Sequence, residues 1–223
     1  MKGLFVLGTD TGVGKTLVSA ALLSCAPPST RYWKPVQTGG PEERDSHTVA
    51  TLSGVEGHRL LPEGASYALP ASPHHAAAME NQTLNLKDVL RVGDAAHLPE
   101  SSLVVEGVGG LMVPLNLNEL LPTLIKALKL PCLLVASTAL GTINHTLLTT
   151  FALKQLGLPT LGIVLSGDSD PSAESGLEAF SPFPILCSLP RLPEVTPGAV
   201  HRAGRLLWEV PQIAEALRGD PAS

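Results

Sequence analysis

The segment Gly8-Thr9-Asp10-Thr11-Gly12-Val13-Gly14-Lys15-Thr16 lies between an apolar run, Leu4-Phe5-Val6-Leu7, and a helical pattern that begins at Leu17. A strand-to-helix turn of this composition makes a phosphate cradle. Its glycines free backbone N–H groups to point inward, and the helix start adds the positive end of a dipole. Lys15 reaches toward β- and γ-phosphates, and the Thr16 hydroxyl is placed to hold Mg²⁺. Gly12, Val13, Gly14, Lys15, Thr16 and Leu17 are therefore expected to contact a nucleoside triphosphate. The strict pattern G-x-x-x-x-G-K-[ST] asks for glycine at position 9, where this chain has Thr9, with Gly8 one place early. The match is near rather than literal. An ordinary strand-to-helix turn would not explain a lysine where the chain bends sharply.

Other residues offer chemistry of their own. Glu106 ends the run Leu103-Val104-Val105 and is followed by Gly107-Val108-Gly109-Gly110. A carboxylate at the end of a buried strand is costly unless it is paired or bound to a cation. Beside a phosphate cradle the cation is Mg²⁺; the alternative is bonding to the loop amides, which the glycines bring close. Lys34 follows Tyr32-Trp33 and precedes Pro35, which ends the strand. Facing the phosphates, it would offset charge on a transferring phosphoryl group or a substrate anion; otherwise it is a surface lysine. Thr38 supplies a hydroxyl nearby. Asp45, within Glu42-Glu43-Arg44-Asp45-Ser46, reads from position alone as an N-cap before a helix. The run Gly141-Thr142-Ile143-Asn144 opens a helix and is either an anion site or a simple cap made by Thr142. His74-His75 do not suggest a transition metal, because adjacent histidines diverge and no partner stands at ligand spacing.

These residues need a scaffold. Short β-rich runs at 3–8, 30–34, 101–106, 131–137, 159–166 and 184–188 alternate with helical patterns at 15–25, 86–97, 119–129, 142–156, 172–180 and 198–217. Pro211 should break or kink the last. The pattern predicts an α/β fold, a mostly parallel sheet flanked by helices. The stretch 54–85 is the one long irregular segment, with a short helix expected after Pro73. Ligands of open α/β sheets sit beyond the carboxyl ends of the strands. There fall Gly8 to Thr16, Lys34, Glu106, Thr138 to Asn144, Ser166-Gly167 and Pro190-Arg191-Leu192, so all would share one rim.

Composition narrows the partners. No linker divides the 223 residues, and a single domain over 1–223 is expected. Charged residues make up 16% of the chain, below the roughly 25% usual for soluble domains, so a core can be buried. The net charge of −5 and scattered basic residues give no stripe for a nucleic-acid backbone. The first apolar run is too short for a signal peptide or membrane span, and Cys25, Cys132 and Cys187 read as buried thiols in a reducing compartment. A cytoplasmic protein with neither nucleic-acid nor membrane partner is expected.

Taken together, Gly8 to Thr16, Trp33-Lys34-Pro-Val-Gln-Thr38-Gly39, Ser72-Pro73-His74, Val105-Glu106-Gly-Val-Gly-Gly110 and Gly141-Thr-Ile-Asn-His-Thr-Leu-Leu148 resemble dethiobiotin synthetase, in the same order and across nearly the whole chain. The resemblance implies a P-loop NTPase-like three-layer sandwich, a homodimer, and Mg-ATP-dependent closure of a cyclic urea on 7,8-diaminononanoate using CO₂. It also implies that Lys15 and Lys34 are catalytic, and that Thr16, Asp45 and Glu106 hold Mg²⁺. By the same resemblance Glu106, Gly107, Val108 and Gly109 contact ATP, as do Asp45, Ser166, Gly167, Pro190, Arg191 and Leu192. Thr38 matches the hydroxyl residue that touches the diamine, and Gly141 to Asn144 match a helix start that grips the substrate carboxylate from the neighbouring subunit. Two departures stand out. Ser166-Gly167 replaces the Asn-Asp with which some members read adenine, and Gly12 stands where some have glutamate. Arg191 either stacks on a base or is a solvent-exposed loop residue. The competing class is a partitioning or positioning ATPase of the same broad fold, but such proteins tend to carry an extra lysine early in the loop, and Thr9 to Gly14 contain none.

Overall fold

The computed structural model describes residues 2–96, 98 and 100–218. In chain order its elements are β1 (Lys2–Gly8), α1 (Lys15–Cys25), β2 (Arg31–Trp33), β3 (Val36–Thr38), α2 (Asp45–Ser53), β4 (Ala65–Tyr67), α3 (Pro73–Met79) and α4 (Leu86–Ala96). There follow β5 (Ser102–Gly110), α5 (Leu121–Leu128), β6 (Cys132–Ser137), α6 (Thr142–Gln155), β7 (Thr160–Ser166), α7 (Pro171–Phe180), β8 (Ile185–Leu189), α8 (Pro197–Trp208) and α9 (Pro211–Arg218). Six strands form one sheet in the order β2-β5-β1-β6-β7-β8, every neighbouring pair parallel. β3 and β4 make a small parallel pair beside it.

A strand buried on both faces needs apolar side chains at every position, which is why Leu4-Phe5-Val6-Leu7 reads as an unbroken run. In the fold these residues alternate between two cores. Leu4 and Val6 join Val18, Leu22, Val200, Leu207 and Ile213 under α1, α8 and α9. Phe5 and Leu7 face the other way, toward Val89, Leu124, Leu153 and Leu177 of α4 to α7. The result is three layers with the sheet in the middle.

The expected strands are all present, and helix α3 starts at Pro73 as read. Pro211 does interrupt the terminal helix, which divides into α8 and α9. The last residue of the expected helix 86–97, His97, lies outside the described residues. Three features differ from expectation. β5 continues past Glu106 to Gly110, because Gly107, Gly109 and Gly110, which look like a loop in sequence, pair with β1 up to Gly8. α2 was expected only as the helix that Asp45 would cap, without bounds of its own, since Val49 is its one buried residue and a polar helix shows no apolar stripe. β3 and β4 have three residues each, too few for a period to register.

Helices α1 and α8 approach closely at Gly204. A Cβ at Gly204 would lie 2.2 Å from the Ala21 carbonyl oxygen and 2.9 Å from Cys25 Sγ, whereas one at Gly198 would meet only Arg202 Nη1 at 3.8 Å. Gly204→Ala should therefore destabilise the protein by about 1–3 kcal/mol in urea melts, while Gly198→Ala should gain up to about 1 kcal/mol. Equal effects would show that helix packing does not govern position 204.

Candidate active site

Gly12 and Gly14 have φ of 76° and 103°, in the left-handed region where a side chain is strained. Gly14 caps α1 without any side-chain bond, so the first amides of the helix stay open for an anion. Lys15 arches back over the turn and donates to the Asp10 carbonyl at 2.8 Å. A Cβ at Gly8 would stand 2.9 Å from Lys15 Nζ. The close approach that requires glycine is thus at position 8, and Thr9 is accommodated with its amide bonded to the Val135 carbonyl. Burial, followed by the nearby Lys34 ammonium, pushes the Lys15 pKa down to about 8, against the opposing pull of Glu106, Asp45 and Asp10.

The next group is built by strand register. Tyr32 pairs with Val104 and Trp33 with Val105, which sets Lys34 beside Glu106 on the edge of β5. Alternation along the strands then turns Tyr32, Lys34 and Glu106 to the face covered by α1. Lys34 Nζ lies 2.6 Å from Asp45 Oδ2 and 3.1 Å from Glu106 Oε1, and donates to the Gly107 carbonyl at 2.9 Å. Lys34 is 3% exposed and Glu106 1%. Burial alone would lower the Lys34 pKa, but Glu106 and Asp45 outweigh it and the net shift is upward, so the ammonium stays charged. Thr16 Oγ1 is 2.8 Å from Asp45 Oδ1 and 2.8 Å from Glu106 Oε1. Tyr32 donates its hydroxyl to Glu106 Oε2 at 3.0 Å, and burial together with Glu106 raises its pKa well above the ordinary phenol value.

A hydroxyl has one proton, yet Thr16 meets two carboxylate oxygens at bonding distance. Three hard oxygens thus converge, and the single Thr16 proton cannot serve both carboxylates, with Lys34 supplying the other donor to Glu106 Oε1. That donor set fits Mg²⁺, which takes one or two carboxylates and completes its octahedron with water and phosphate oxygens. Among the described residues no cluster of three or more His, Cys, Asp and Glu is arranged to hold a metal.

Two cavities flank the phosphate turn and share Gly12 and Gly14 as their common wall. One, of about 510 Å³, is lined by Thr11, Lys15, Thr16, Lys34, Gln37, Thr38, Asp45, Ser72, Glu106, Val108 and Gly109, among others. The other, of about 770 Å³, is lined by Val13, Leu17, Thr138, Ser166, Gly167, Asp168, Pro190, Arg191 and Leu192, among others. Gly107 lines neither; it presents its carbonyl to Lys34 and packs against the Phe5 ring. Gly167 is fixed by its surroundings, since with φ at 142° a Cβ there would sit 2.3 Å from Thr138 Oγ1. Arg191 lies 3.9 Å from Asp168, and both side chains are more than three-quarters exposed, so water screens the pair.

Gly141, Thr142, Ile143 and Asn144 border neither cavity. Gly141 caps α6 with φ at 95° and no side-chain bond, which corrects the reading of Thr142 as the cap; Thr142 is buried with its hydroxyl 3.4 Å from Thr146. Ile143 packs at Gly176 of α7, and Asn144 is exposed. The N-cap reading of Asp45 is also corrected. Arg44 occupies the cap, and Asp45 opens α2 with its carboxylate turned to Lys34 and Thr16.

Two contributors escaped the sequence reading. Gln37 accepts the Asp45 amide at 3.2 Å and donates to the Thr38 carbonyl at 2.8 Å, tying the two together. Tyr32 is the other. It shares strand parity with Lys34, and that two-residue spacing is the signal that would have found it.

A parallel sheet whose first strand feeds a Gly-Lys-Thr turn, with a carboxylate of the neighbouring strand β5 meeting the turn's hydroxyl beside it, defines a P-loop nucleotide-dependent enzyme. A family model described as AAA domain matches residues 2–199. The ATP-dependent dethiobiotin synthetase BioD of Agrobacterium fabrum is 43% identical over 198 residues, 89% of this chain and 90% of that protein. The protein of the same name from Brucella ovis is 40% identical over 217 residues, 96% of this chain and 98% of its own. The chain belongs to the ATP-dependent dethiobiotin synthetase family and is an ATP-dependent ligase. Among solved structures, a ParA family ATPase from Chlorobium tepidum aligns with a TM-score of 0.56 at 13% identity, covering 98% of each chain. HypB from Helicobacter pylori aligns at 0.51 with 15% identity, covering 99% of this chain and 91% of its own. At such identities the likeness is one of fold alone.

Because Lys15 loses its proton near pH 8 and a polyphosphate favours the charged form, nucleotide binding should take up a proton once the pH exceeds that value. Calorimetry in buffers of different ionisation enthalpy, about one pH unit higher, should register this uptake together with weaker affinity; about one unit below that value, where Lys15 is already charged, it should nearly vanish. Lys15→Ala should abolish the effect. Absence of proton uptake in the unaltered protein would refute the assignment.

Proposed function

We propose that the chain, acting as one domain over 1–223, closes a cyclic urea on 7,8-diaminononanoate to give dethiobiotin. One amine adds to CO₂ and loses a proton, giving a carbamate. A carbamate oxygen takes the γ-phosphoryl group of ATP and releases ADP. The second amine then attacks the carbonyl carbon of this mixed anhydride, loses its proton and expels phosphate. Thr16, Asp45 and Glu106 would hold Mg²⁺, which would supply charge neutralisation along the phosphates.

The observation that carries the reading is the pair of hollows meeting at the phosphate turn, with Lys15 and Lys34 both facing the smaller one. In this reading the triphosphate lies across Gly12 to Thr16, with Leu17 beside it, and its γ end enters the smaller hollow. There Lys15 and Lys34 offset charge on the migrating phosphoryl group and the carbamate, while Thr38 holds the diamine. Val108 and Gly109 border the phosphates, while Gly107 acts from behind them by holding Lys34 through its carbonyl. The base occupies the larger hollow between Ser166-Gly167 and Pro190-Arg191-Leu192. No side-chain amide is available at 166–167 to read its edge.

The substrate carboxylate is assigned to Gly141, Thr142, Ile143 and Asn144 of a second copy in a homodimer. What supports this is their position outside both hollows, together with the exposed apolar side chains around them. Leu140 is fully exposed, Leu148 63% and Phe151 49% exposed, an apolar surface that favours being covered. The assigned compartment is the cytoplasm, supported by three cysteines that are all free. Among the described residues no helix is long and apolar enough to cross a membrane.

With Mg²⁺, bicarbonate and the diamine supplied, ATP consumption should match ring-closed product one for one. Equal ATP turnover without the diamine would defeat the proposal. Run with ATP, CTP and GTP in parallel, the same assay measures base preference. Lys34→Ala should lower kcat by about 10²–10³-fold with a much smaller change in nucleotide affinity, provided the variant remains folded by circular dichroism; unchanged turnover removes Lys34 from the chemistry. For the shared site, an inactive Lys15→Ala chain mixed with an inactive Asn144→Ala chain should recover part of the activity. Verified heterodimers without recovery would mean that each subunit works alone.

A further inference from the structure

Tyr32 is fully buried within the apolar layer beneath α1, yet its hydroxyl ends at Glu106 Oε2, 3.0 Å away. The other oxygen of that carboxylate, Oε1, meets Thr16 at 2.8 Å and Lys34 at 3.1 Å. The two oxygens therefore have separate partners, one set in the reaction cavity and one in the core. The terminal torsion of a glutamate is broad and close to two-fold, so little within Glu106 decides which way its carboxylate plane lies. The phenol ring, in contrast, is held by β2 and by the side chains packed around it.

We propose that Tyr32 is a positioning residue. It pins Oε2 and so fixes the carboxylate plane with Oε1 directed at Thr16, which sets how strongly a divalent cation couples to nucleotide binding. This rests on the reading of Glu106 as a cation ligand. Tyr32 touches neither nucleotide nor diamine, and its effect passes through Glu106 alone. Phenylalanine fills the same space without the hydroxyl, so a single substitution separates orientation from packing.

The test is the affinity of a fluorescent ATP analogue, measured with and without Mg²⁺, for the unaltered chain, Tyr32→Phe, Glu106→Gln and the double variant. Tyr32→Phe should lose about tenfold of the Mg²⁺-dependent tightening while binding in chelator stays unchanged. In the Glu106→Gln background the same change should add nothing, the non-additivity expected of residues acting through one contact. With 4-aminophenylalanine at position 32, which keeps a donor on the ring, the coupling should return; with 4-methylphenylalanine it should not. That pair reads the donor at matched size and decides the matter should the phenylalanine variant fail to fold. If Glu106→Gln weakens the coupling and Tyr32→Phe does not, the inference falls and the cation reading stands. If Glu106→Gln leaves the coupling intact, the cation reading itself falls. Equal losses in both backgrounds would assign Tyr32 a packing role and overturn the inference.

Discussion

A buried carboxylate, Glu106, and a partly buried one, Asp45, cannot stand this close together without a cation between them, and Lys34 provides one. Its ammonium contacts both Asp45 and Glu106. Breaking a buried pair such as Lys34 and Glu106 typically costs about 3–5 kcal/mol, because the remaining charge has no water to turn to. The arrangement therefore constrains the fold far beyond its own atoms. β2 must lie against β5 in one register, since a slip of one residue would turn Lys34 to the opposite face of the sheet. The chain between β2 and α2 must then return Asp45 from the far side of the cavity. Gln37 bonds the Asp45 amide for this purpose, while Glu63 meets Arg44 at 3.2 Å and Ser46 at 2.9 Å, holding the residues on either side.

The phosphate turn answers to the same charges from the other direction. Lys15 and Lys34 are both buried cations at one site, and each disfavours the charge of the other. They nonetheless differ in character. Lys34 has carboxylates at contact distance and keeps its proton, whereas Lys15 has, among the described residues, the Asp10 carbonyl as its one hydrogen-bond partner and is held near the edge of ionisation. One lysine is part of the frame. The other is poised to respond to an incoming anion.

What could be read from the sequence follows the length scale of each interaction. The strand and helix alternation was legible because each six- or seven-residue core strand carries its own apolar run, and Gly12, Gly14 and Lys15 announce the cradle by local spacing. Glu106 was legible as a charge at the end of an apolar run, although glycine-rich pairing hid the true end of β5. Thr16 was legible as the hydroxyl of the phosphate turn, but its conjunction with Lys34 and Asp45 was not, because those two are plain surface chemistry until the register and α2 bring them in. Asp45 looked like a helix cap for that reason, and only the resemblance to a known family suggested otherwise. Tyr32 was hidden by its own apolarity, since a tyrosine in a core strand gives no sign in sequence of where its hydroxyl ends.

The two hollows meet at Gly12 and Gly14, residues without side chains. In the proposed reading the nucleoside and the amine lie on either side of these two glycines. A single compound joining the two through a short anionic bridge would engage both at once, and the second contact would form at the high effective concentration that a short tether confers. The architecture is in that sense a template for tethered inhibitors, with the bridge laid along the glycine ledge.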